Sequence, residues 1–161
     1  MGYMGEAFIL ECTALGLGTC WLGVSYNKGA LKKLIRLEEG EELVCAASIG
    51  IPAESYIGRP RMDLTKLTTL TEEQLQALPA WQQQALACAR IAPSAVNAQP
   101  WRFLVAGEEI TVKRAGSNFG YAALDCGIAM LHIELGASHG GVSGEWKQCE
   151  GNATFCPVPQ G

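Results

Sequence analysis

The chain opens with an apolar stretch whose side chains recur at helical spacing. Between residues 5 and 15, Ala7, Leu10 and Ala14 fall on one face, which predicts a largely buried helix. Gly16 follows, and glycine readily adopts the left-handed conformation that ends many helices. The segment Gly16–Trp21 (GLGTCW) is then predicted to form a tight glycine turn.

Two further elements are predicted before residue 70. Asn27 is placed to cap a short helix reaching Ile35, because its side chain can accept a hydrogen bond from the first turn. The nearly all-apolar run Leu43–Ile51 predicts a central strand covered on both faces, and Pro52 ends it. The stretch from Ala53 to Leu70 is polar and irregular.

Capping signals predict the start of two helices after residue 70. Thr71 and Gln74 have the spacing of a capping box, which predicts a helix start. Pro79 begins another helix, which Ala92 must end because the residue before Pro93 avoids helical geometry. The apolar residues on one face of that helix are Trp81, Ala85, Cys88 and Ala89.

A hairpin and a fifth helix are predicted after these. Alternating residues predict strands over Trp101–Ala106 and Ile110–Arg114, joined by Gly107–Glu109. Tyr121–Leu135 predicts a buried helix closed by Gly136. The C-terminal tail has an ambiguous pattern.

Two of the predicted helices are similar in sequence. The first ends in Cys12–Gly16 (CTALG) and the late one in His132–Gly136 (HIELG), and each follows a Gly-Tyr pair, at Gly2 and at Gly120. A duplication would mean that the later part of one copy precedes most of a second. Chance similarity between two buried helices is the alternative.

Composition excludes several classes of function. The 161 residues are 48% hydrophobic and 17% charged, with a net charge of −4, so the surface lacks the positive field that nucleic acid requires. Glu6 and Glu11 interrupt the apolar start and no basic residue precedes it, so we expect neither a targeting segment nor a membrane span. The seven cysteines include no C-x-x-C pair. We therefore expect reduced thiols, no metal site and a cytoplasmic protein.

The strongest candidate site lies between Pro93 and Pro100 (PSAVNAQP). The two prolines restrict the backbone, so Ser94, Asn97 and Gln99 are presented at little entropic cost. An amide such as that of Asn97 both donates and accepts, which suits the edge of a heteroaromatic ring. The alternative, and the commoner case, is a stiffened turn whose polar groups cap neighbouring backbone.

Two other segments are weaker candidates. The glycines of Gly16–Gly23 let the backbone approach a flat ligand, although Trp21 stands where a dinucleotide fingerprint has its third glycine. A helix end with Trp21 in the core is the alternative. Arg59 and Arg61 flank a proline and can grip a phosphate, or simply form a solvated surface pair.

No catalytic side chain is predicted. Asp125, His132 and Glu134 lie on a predicted buried helix, where they are as readily core polar groups with hydrogen-bond partners as acid–base groups. No arrangement of nucleophile and base with the spacing of a known hydrolase motif occurs.

Together these motifs resemble the nitroreductase family of flavin enzymes. The resemblance rests on P-S-x-x-N-x-Q-P-W at Pro93–Trp101, on G-L-G-T-C-W at Gly16–Trp21, and on the strand ending in Ser48–Pro52 with arginines downstream. It implies an α+β fold with helices around a mixed, mainly antiparallel sheet. The duplication resembles the subgroup in which two copies are fused, with residues 1–70 as the later part of the first copy and 71–161 as the second, together one globular domain.

The resemblance also implies a cofactor and its ligands. FMN would lie between two copies, with backbone of the glycine segment near the flavin ring, the proline segment at the ring and ribityl chain, and the arginines at the phosphate. Two electrons would pass from NAD(P)H to an aromatic nitro compound or a quinone, and a homodimer is expected. The implied cofactor-binding residues are Gly18, Thr19, Cys20, Trp21, Arg59, Arg61, Pro93, Ser94, Ala95, Asn97 and Gln99.

One part of the family pattern has no counterpart in this sequence. Family members begin with a helix carrying R-R-S-x-R, which clasps the FMN phosphate, and the first copy's own proline loop is also missing. The chain is therefore expected to be a fragment or to have an internal start. Losing two charge-assisted contacts would cost about 3–6 kcal/mol of FMN binding. A flavin-free module with a structural or interaction role is thus the alternative, and a thiol or metal protein using Cys149 and Cys156 is a third.

Overall fold

The computed structural model describes residues 1–54 and 58–158. The chain divides into a larger unit, Met1–Ala7 with Gly58–Gly161, and a smaller unit, Phe8–Ile57. Helix α1 (Gly2–Ala14) begins in the larger unit and ends in the smaller one. The predicted boundary at residue 70 concerns the two sequence copies and stays a prediction.

Helix α1 forms where the sequence predicts it, but it is less buried than expected. Its buried residues are Gly2, Glu6, Ile9 and Cys12, which are spaced three or four apart and form one stripe. Met4 is 70% exposed and Phe8 is 56% exposed. The prediction of a largely buried helix is wrong, because the apolar residues surround the helix and only one face is covered.

The smaller unit contains a two-stranded sheet and a short helix. Strand β1 (Gly18–Leu22) pairs antiparallel with β2 (Ala46–Gly50), and α2 (Lys28–Lys32) lies between them in the chain. Gly16 has a φ of +77° after the end of α1, as predicted. The predicted glycine turn is wrong beyond that point, because residues 18–22 are extended and pair with β2.

The cap of α2 is confirmed and the burial of β2 is not. The Asn27 side chain accepts a hydrogen bond of 2.9 Å from the backbone N–H of Ala30. Strand β2 is shorter than the apolar run that predicted it, its four residues from Ala47 to Gly50 are exposed, and Ile49 is 44% exposed. The prediction of a central, doubly covered strand is wrong, because β2 has β1 as its one neighbour among the described strands.

A four-stranded antiparallel sheet forms the larger unit's β layer. Its strands are β3 (Trp101–Ala106), β4 (Glu109–Arg114), β5 (Gly144–Cys149) and β6 (Asn152–Pro157), in the order β3-β4-β6-β5. The predicted β3–β4 hairpin is confirmed, with β4 starting one residue early at Glu109. The tail with the ambiguous pattern supplies β5 and β6.

Four helices accompany this sheet: α3 (Leu64–Leu67), α4 (Glu72–Gln76), α5 (Ala80–Ile91) and α6 (Ala122–His139). The capping box of α4 is confirmed, with hydrogen bonds in both directions between Thr71 and Gln74. Helix α5 ends before Ala92, as Pro93 requires. The local signals for these helix ends are thus reliable.

Helix α6 continues past the glycine that was predicted to end it. Gly136 is helical and buried, and a Cβ built on it would lie 2.7 Å from Ala85 Cα and 2.7 Å from Gln84 O. Gly136 is therefore needed for close approach to α5 and does not act as a cap. The helix continues without interruption through His139.

The core of the larger unit lies between α6, α5 and the sheet. Its largest fully buried side chains include Trp101, Phe103, Phe155, Leu86, Ile110, Ile128 and Ile133. The α+β class is confirmed, with the strands in two antiparallel sheets. Across residues 1–54 and 58–158, no helix is both long and apolar enough to cross a membrane.

Candidate functional site

The segment between Pro93 and Pro100 joins α5 to β3 in an unusual backbone conformation. It contains a 3₁₀ turn at Ala95–Asn97, and φ is +50° at Val96, +60° at Asn97 and +50° at Gln99. Asparagine tolerates such angles, whereas a β-branched residue rarely adopts them. The surrounding contacts must therefore hold this segment, which we call the proline loop (residues 93–100), in a strained form.

Arg61 lies against the proline loop. Its guanidinium donates to Asn97 Oδ1 at 2.6 Å, to the carbonyl of Arg59 at 3.3 Å and to that of Ile91 at 3.3 Å. Asn97 in turn donates from Nδ2 to the carbonyl of Pro60 at 2.9 Å. The structure thus brings together two of the motifs, the arginine pair and the proline loop, that the sequence analysis found separately.

Gln99 and Ser94 hold the loop from inside. Gln99 is 3% exposed; its Oε1 accepts from the N–H of Met62 at 2.8 Å, and its Nε2 donates to the carbonyl of Asn97 at 3.2 Å. Ser94 Oγ accepts from the N–H of Gln99 at 2.9 Å. These contacts give both side chains a role in shaping the loop, and their predicted contact with a cofactor stays a prediction.

A buried carboxylate lies beneath the loop. Asp125 is 1% exposed; one of its oxygens accepts from the N–H of Ala95 at 3.0 Å and the other from Asn118 Nδ2 at 2.6 Å. Asn118 also donates to the carbonyl of Ala95 at 3.0 Å. The sequence analysis noted Asp125 only as a polar group on an apolar helix and did not single out Asn118. A carboxylate on the apolar face of a helix indicates that hydrogen-bond donors are buried beside it. The sequence does not identify which residues supply them.

Burial raises the pKa of Asp125, although its hydrogen bonds from Ala95 and Asn118 act to lower it. Ionisation therefore costs more in the folded chain than in the unfolded one. The folded state binds more protons between the ordinary value of 3.8 and the raised value, so stability falls as pH rises through that interval.

This raised pKa gives a testable pH dependence. We expect the free energy of unfolding of the wild-type chain, relative to that of Asp125→Asn, to decrease as pH rises from the ordinary pKa of 3.8 towards neutrality, because the variant has no carboxyl group to ionise there. Urea denaturation at a series of pH values measures the difference. A difference that stays constant, or grows with pH, would contradict the assignment.

The two other polar residues noted on α6 also have partners. His132 Nε2 lies 3.0 Å from Glu6 Oε1, and both side chains are buried. Glu134 accepts a hydrogen bond of 2.8 Å from Trp146 Nε1. Burial and, to a smaller extent, a hydrogen bond to Glu134 raise the pKa of Tyr3 to about 12. Each of these side chains therefore has a hydrogen-bond partner, as one of the two alternatives from the sequence analysis requires.

The glycine segment belongs to the smaller unit. Gly18, Thr19 and Trp21 are partly exposed and Cys20 is exposed, all within strand β1. A Cβ on Gly18 would lie 3.2 Å from the Cβ of Pro52, so this position leaves little room for a larger residue.

The described residues contain no group of three or more histidine, cysteine, aspartate or glutamate side chains able to hold a metal ion. Cys156 is a free thiol whose Sγ lies 3.3 Å from Glu109 Oε1. The side chain of Cys149, which the third hypothesis paired with Cys156, lies outside the described part of the structure.

Comparison with known proteins identifies the family. A family model described as "Putative TM nitroreductase" matches residues 1–137. The chain belongs to this nitroreductase family. A crystal structure of a "putative nitroreductase" from Thermotoga maritima matches with a TM-score of 0.72 and 25% sequence identity, covering 96% of this chain and 62% of that one. No curated protein matches the sequence significantly.

Membership of the nitroreductase family confirms the resemblance drawn from the two motifs, and the matching crystal structure confirms the fold. This chain spans less than two thirds of the length of that relative. The individual ligand contacts of this nitroreductase-family chain remain predictions.

Proposed function

We propose that this chain binds FMN and passes two electrons from NAD(P)H to an aromatic nitro compound or a quinone. Family membership supports an oxidoreductase of this kind. The observation that carries the proposal is the guanidinium of Arg61, whose acceptors at the proline loop are all neutral in the part of the chain that the structure describes.

The cation at Arg61 fits a phosphate group. No aspartate or glutamate oxygen in residues 1–54 and 58–158 forms an ion pair with it, whereas Arg90 pairs with Asp63 at 3.6 Å. Asn97 and two carbonyls fix the position of the guanidinium without neutralising its charge. A positioned and uncompensated arginine favours a phosphate, which it can bind through two parallel hydrogen bonds. Arg59, which is exposed, supplies a second positive charge two residues away.

The proline loop keeps hydrogen-bonding capacity for the rest of such a ligand. Ser94 Oγ acts as an acceptor within the loop, so its O–H can donate elsewhere. Asn97 uses one N–H on Pro60, and an amide has two. Both side chains are partly exposed, whereas Gln99 is buried. We therefore assign direct contact to Ser94 and Asn97, and an indirect part to Gln99.

These contacts suggest a role for each residue in FMN binding. When bound, FMN would supply the electron-transfer chemistry between the nicotinamide and the acceptor. Arg61 and Arg59 would hold the phosphate, and Pro93, Ser94, Ala95 and Asn97 would orient the ligand. Gly18, Thr19, Cys20 and Trp21 keep the part that the family resemblance predicts for them, as backbone beside the ring.

A flavin-free module remains the second candidate, and one observation favours it. The polar side chains of the proline loop all bind neighbouring backbone or Arg61, as expected of a stiffened turn. These contacts hold the shape of the loop without a ligand. The two candidates differ in whether the purified chain takes up FMN.

An FMN titration of the purified chain distinguishes them. We expect added FMN to bind with loss of its fluorescence, to remain bound through gel filtration, and to support oxidation of NADH or NADPH by a nitroaromatic compound or a quinone. Free FMN at the same concentration is the control for the uncatalysed reaction. A folded chain that takes up no FMN would overturn the proposal in favour of the flavin-free module.

We also propose that the chain forms a homodimer and that it resides in the cytoplasm. The described cysteines with side chains in the structure are free thiols, which supports a reducing compartment. Sedimentation of the purified chain with and without FMN measures the oligomeric state.

A further inference from the structure

Asp125 joins two strained turns that are far apart in the sequence. Its carboxylate binds Ala95, directly before Val96, and Asn118, directly before Phe119. Val96 and Phe119 have φ values of +50° and +55°, and they are 69% and 83% exposed. The side chains of these two residues are largely in solvent. Their packing therefore cannot stabilise the strained backbone conformations.

The strain must therefore be balanced by hydrogen bonds at the neighbouring residues. The N–H of Ala95 donates to Asp125, while the carbonyl of Ala95 accepts from Asn118, which is itself held by the other oxygen of Asp125. These three contacts form a closed triangle of two side chains and the backbone N–H and carbonyl of one residue, Ala95. The triangle fixes the entry of the proline loop two residues before Asn97.

We propose that Asp125 is a positioning residue, whose buried carboxylate holds the proline loop and the Asn118–Phe119 turn in the geometry that presents Asn97 and Arg61 to the ligand. The proposal rests on the FMN function above. Asp125 acts through Ala95 and Asn118 and touches no ligand itself.

The geometry requires a carboxylate and not an amide. Both oxygens of Asp125 accept from N–H donors. In Asp125→Asn, one of the two positions becomes an NH₂ group that faces another donor, so one contact is lost and a repulsive one replaces it. Asp125→Asn changes volume very little, which makes it a sharp probe.

Glu6→Gln is the matched control. Glu6 is also a carboxylate that is 1% exposed and also binds a side chain of α6, that of His132 at 3.0 Å. The substitution is again carboxylate to amide, but it does not touch the triangle. A general effect of removing a buried charge will appear in both variants, whereas loss of loop geometry will appear only in Asp125→Asn.

Amide hydrogen exchange tests the triangle without any flavin. In the flavin-free chain, we expect the Ala95 and Gln99 amides to exchange at least about tenfold faster in Asp125→Asn than in the wild type, and at wild-type rates in Glu6→Gln. Asn118→Gly is the second variant, because glycine tolerates the φ of +44° at this position while the amide is lost. It should also speed exchange at Ala95. Unchanged exchange in both Asp125→Asn and Asn118→Gly would overturn the proposal.

FMN affinity then tests the consequence for binding. If the loop adopts its binding geometry about a tenth of the time, the apparent dissociation constant rises about tenfold. A purely electrostatic role predicts the opposite sign, because removing a negative charge should tighten binding of an anionic ligand. Weaker FMN binding in Asp125→Asn, with Glu6→Gln at the wild-type value, supports positioning. Tighter or unchanged binding would contradict it.

The double variant Asp125→Asn with Asn118→Asp provides a rescue. The amide and carboxylate exchange places, so the new amide can accept from Ala95 and donate to the new carboxylate, while the contact with the Ala95 carbonyl stays lost. We expect Ala95 exchange and FMN affinity to return part of the way to wild type. Failure of the wild-type chain to bind FMN would overturn the proposed function, while the exchange data would still decide whether Asp125 holds the loop.

Discussion

Replacing Gly136 with leucine should lower the free energy of unfolding by about 3 kcal/mol, at the upper end of the cost of overpacking a core. A Cβ alone would lie 2.7 Å from Ala85 Cα and from Gln84 O, and both are backbone atoms that cannot rotate away. Helices α5 and α6 would have to separate, which would open the contact that covers much of the core. Urea denaturation followed by circular dichroism measures the change.

Ser138→Leu is the control for this substitution. Ser138 lies on the same helix two residues further on and is exposed, so the same side chain meets no neighbour there. We expect its effect to stay within about 0.5 kcal/mol of the wild type. Similar losses for the two variants would show that leucine disturbs the helix itself, and that the close approach at Gly136 is not the cause.

Gly136 also shows which structural features can be predicted from the sequence and which cannot. Helix ends with a local cause, such as the Thr71–Gln74 box and the Asn27 cap, formed as predicted because all the interacting atoms lie within one turn. Gly136 was predicted to end its helix. Its actual role depends on Ala85, about fifty residues away in sequence, and no local pattern reports that.

Burial was predicted less well than secondary structure. The apolar composition of Leu43–Ile51 predicted a covered central strand, yet β2 forms with most of its residues exposed. Helix α1 shows the same discrepancy at Phe8. Apolar composition indicates that a segment favours burial, but the elements that cover it are set by the tertiary fold.

The candidate site was predicted in its parts but not in its connections. The sequence analysis proposed Ser94, Asn97 and Gln99 from their place between two prolines, and the structure has them in one loop. The contacts that give the loop its shape join it to Arg61 and Asp125, which are 36 and 30 residues from their partners in sequence. Only the resemblance to a family placed the arginines with the loop.

Arg61→Ala should raise the dissociation constant for FMN by about ten- to a hundredfold, because one charge-assisted contact contributes about 1.5–3 kcal/mol. Arg36→Ala is the control with the same change in net charge. Arg36 pairs with Glu38 at 3.0 Å and its side chain is 87% exposed, so its loss should leave FMN binding unchanged. Titration of each variant, followed by flavin fluorescence, gives the dissociation constants.

Arg61→Lys separates the two contributions of this side chain. Lysine keeps the charge and can donate to Asn97, but it cannot form the paired hydrogen bonds of a guanidinium with a phosphate. We therefore expect its FMN affinity to fall between those of the wild type and Arg61→Ala. Affinity equal to the wild type would mean that charge alone suffices. Wild-type affinity in Arg61→Ala would contradict the placement of the phosphate at Arg61, because that guanidinium is the positive charge held against the proline loop.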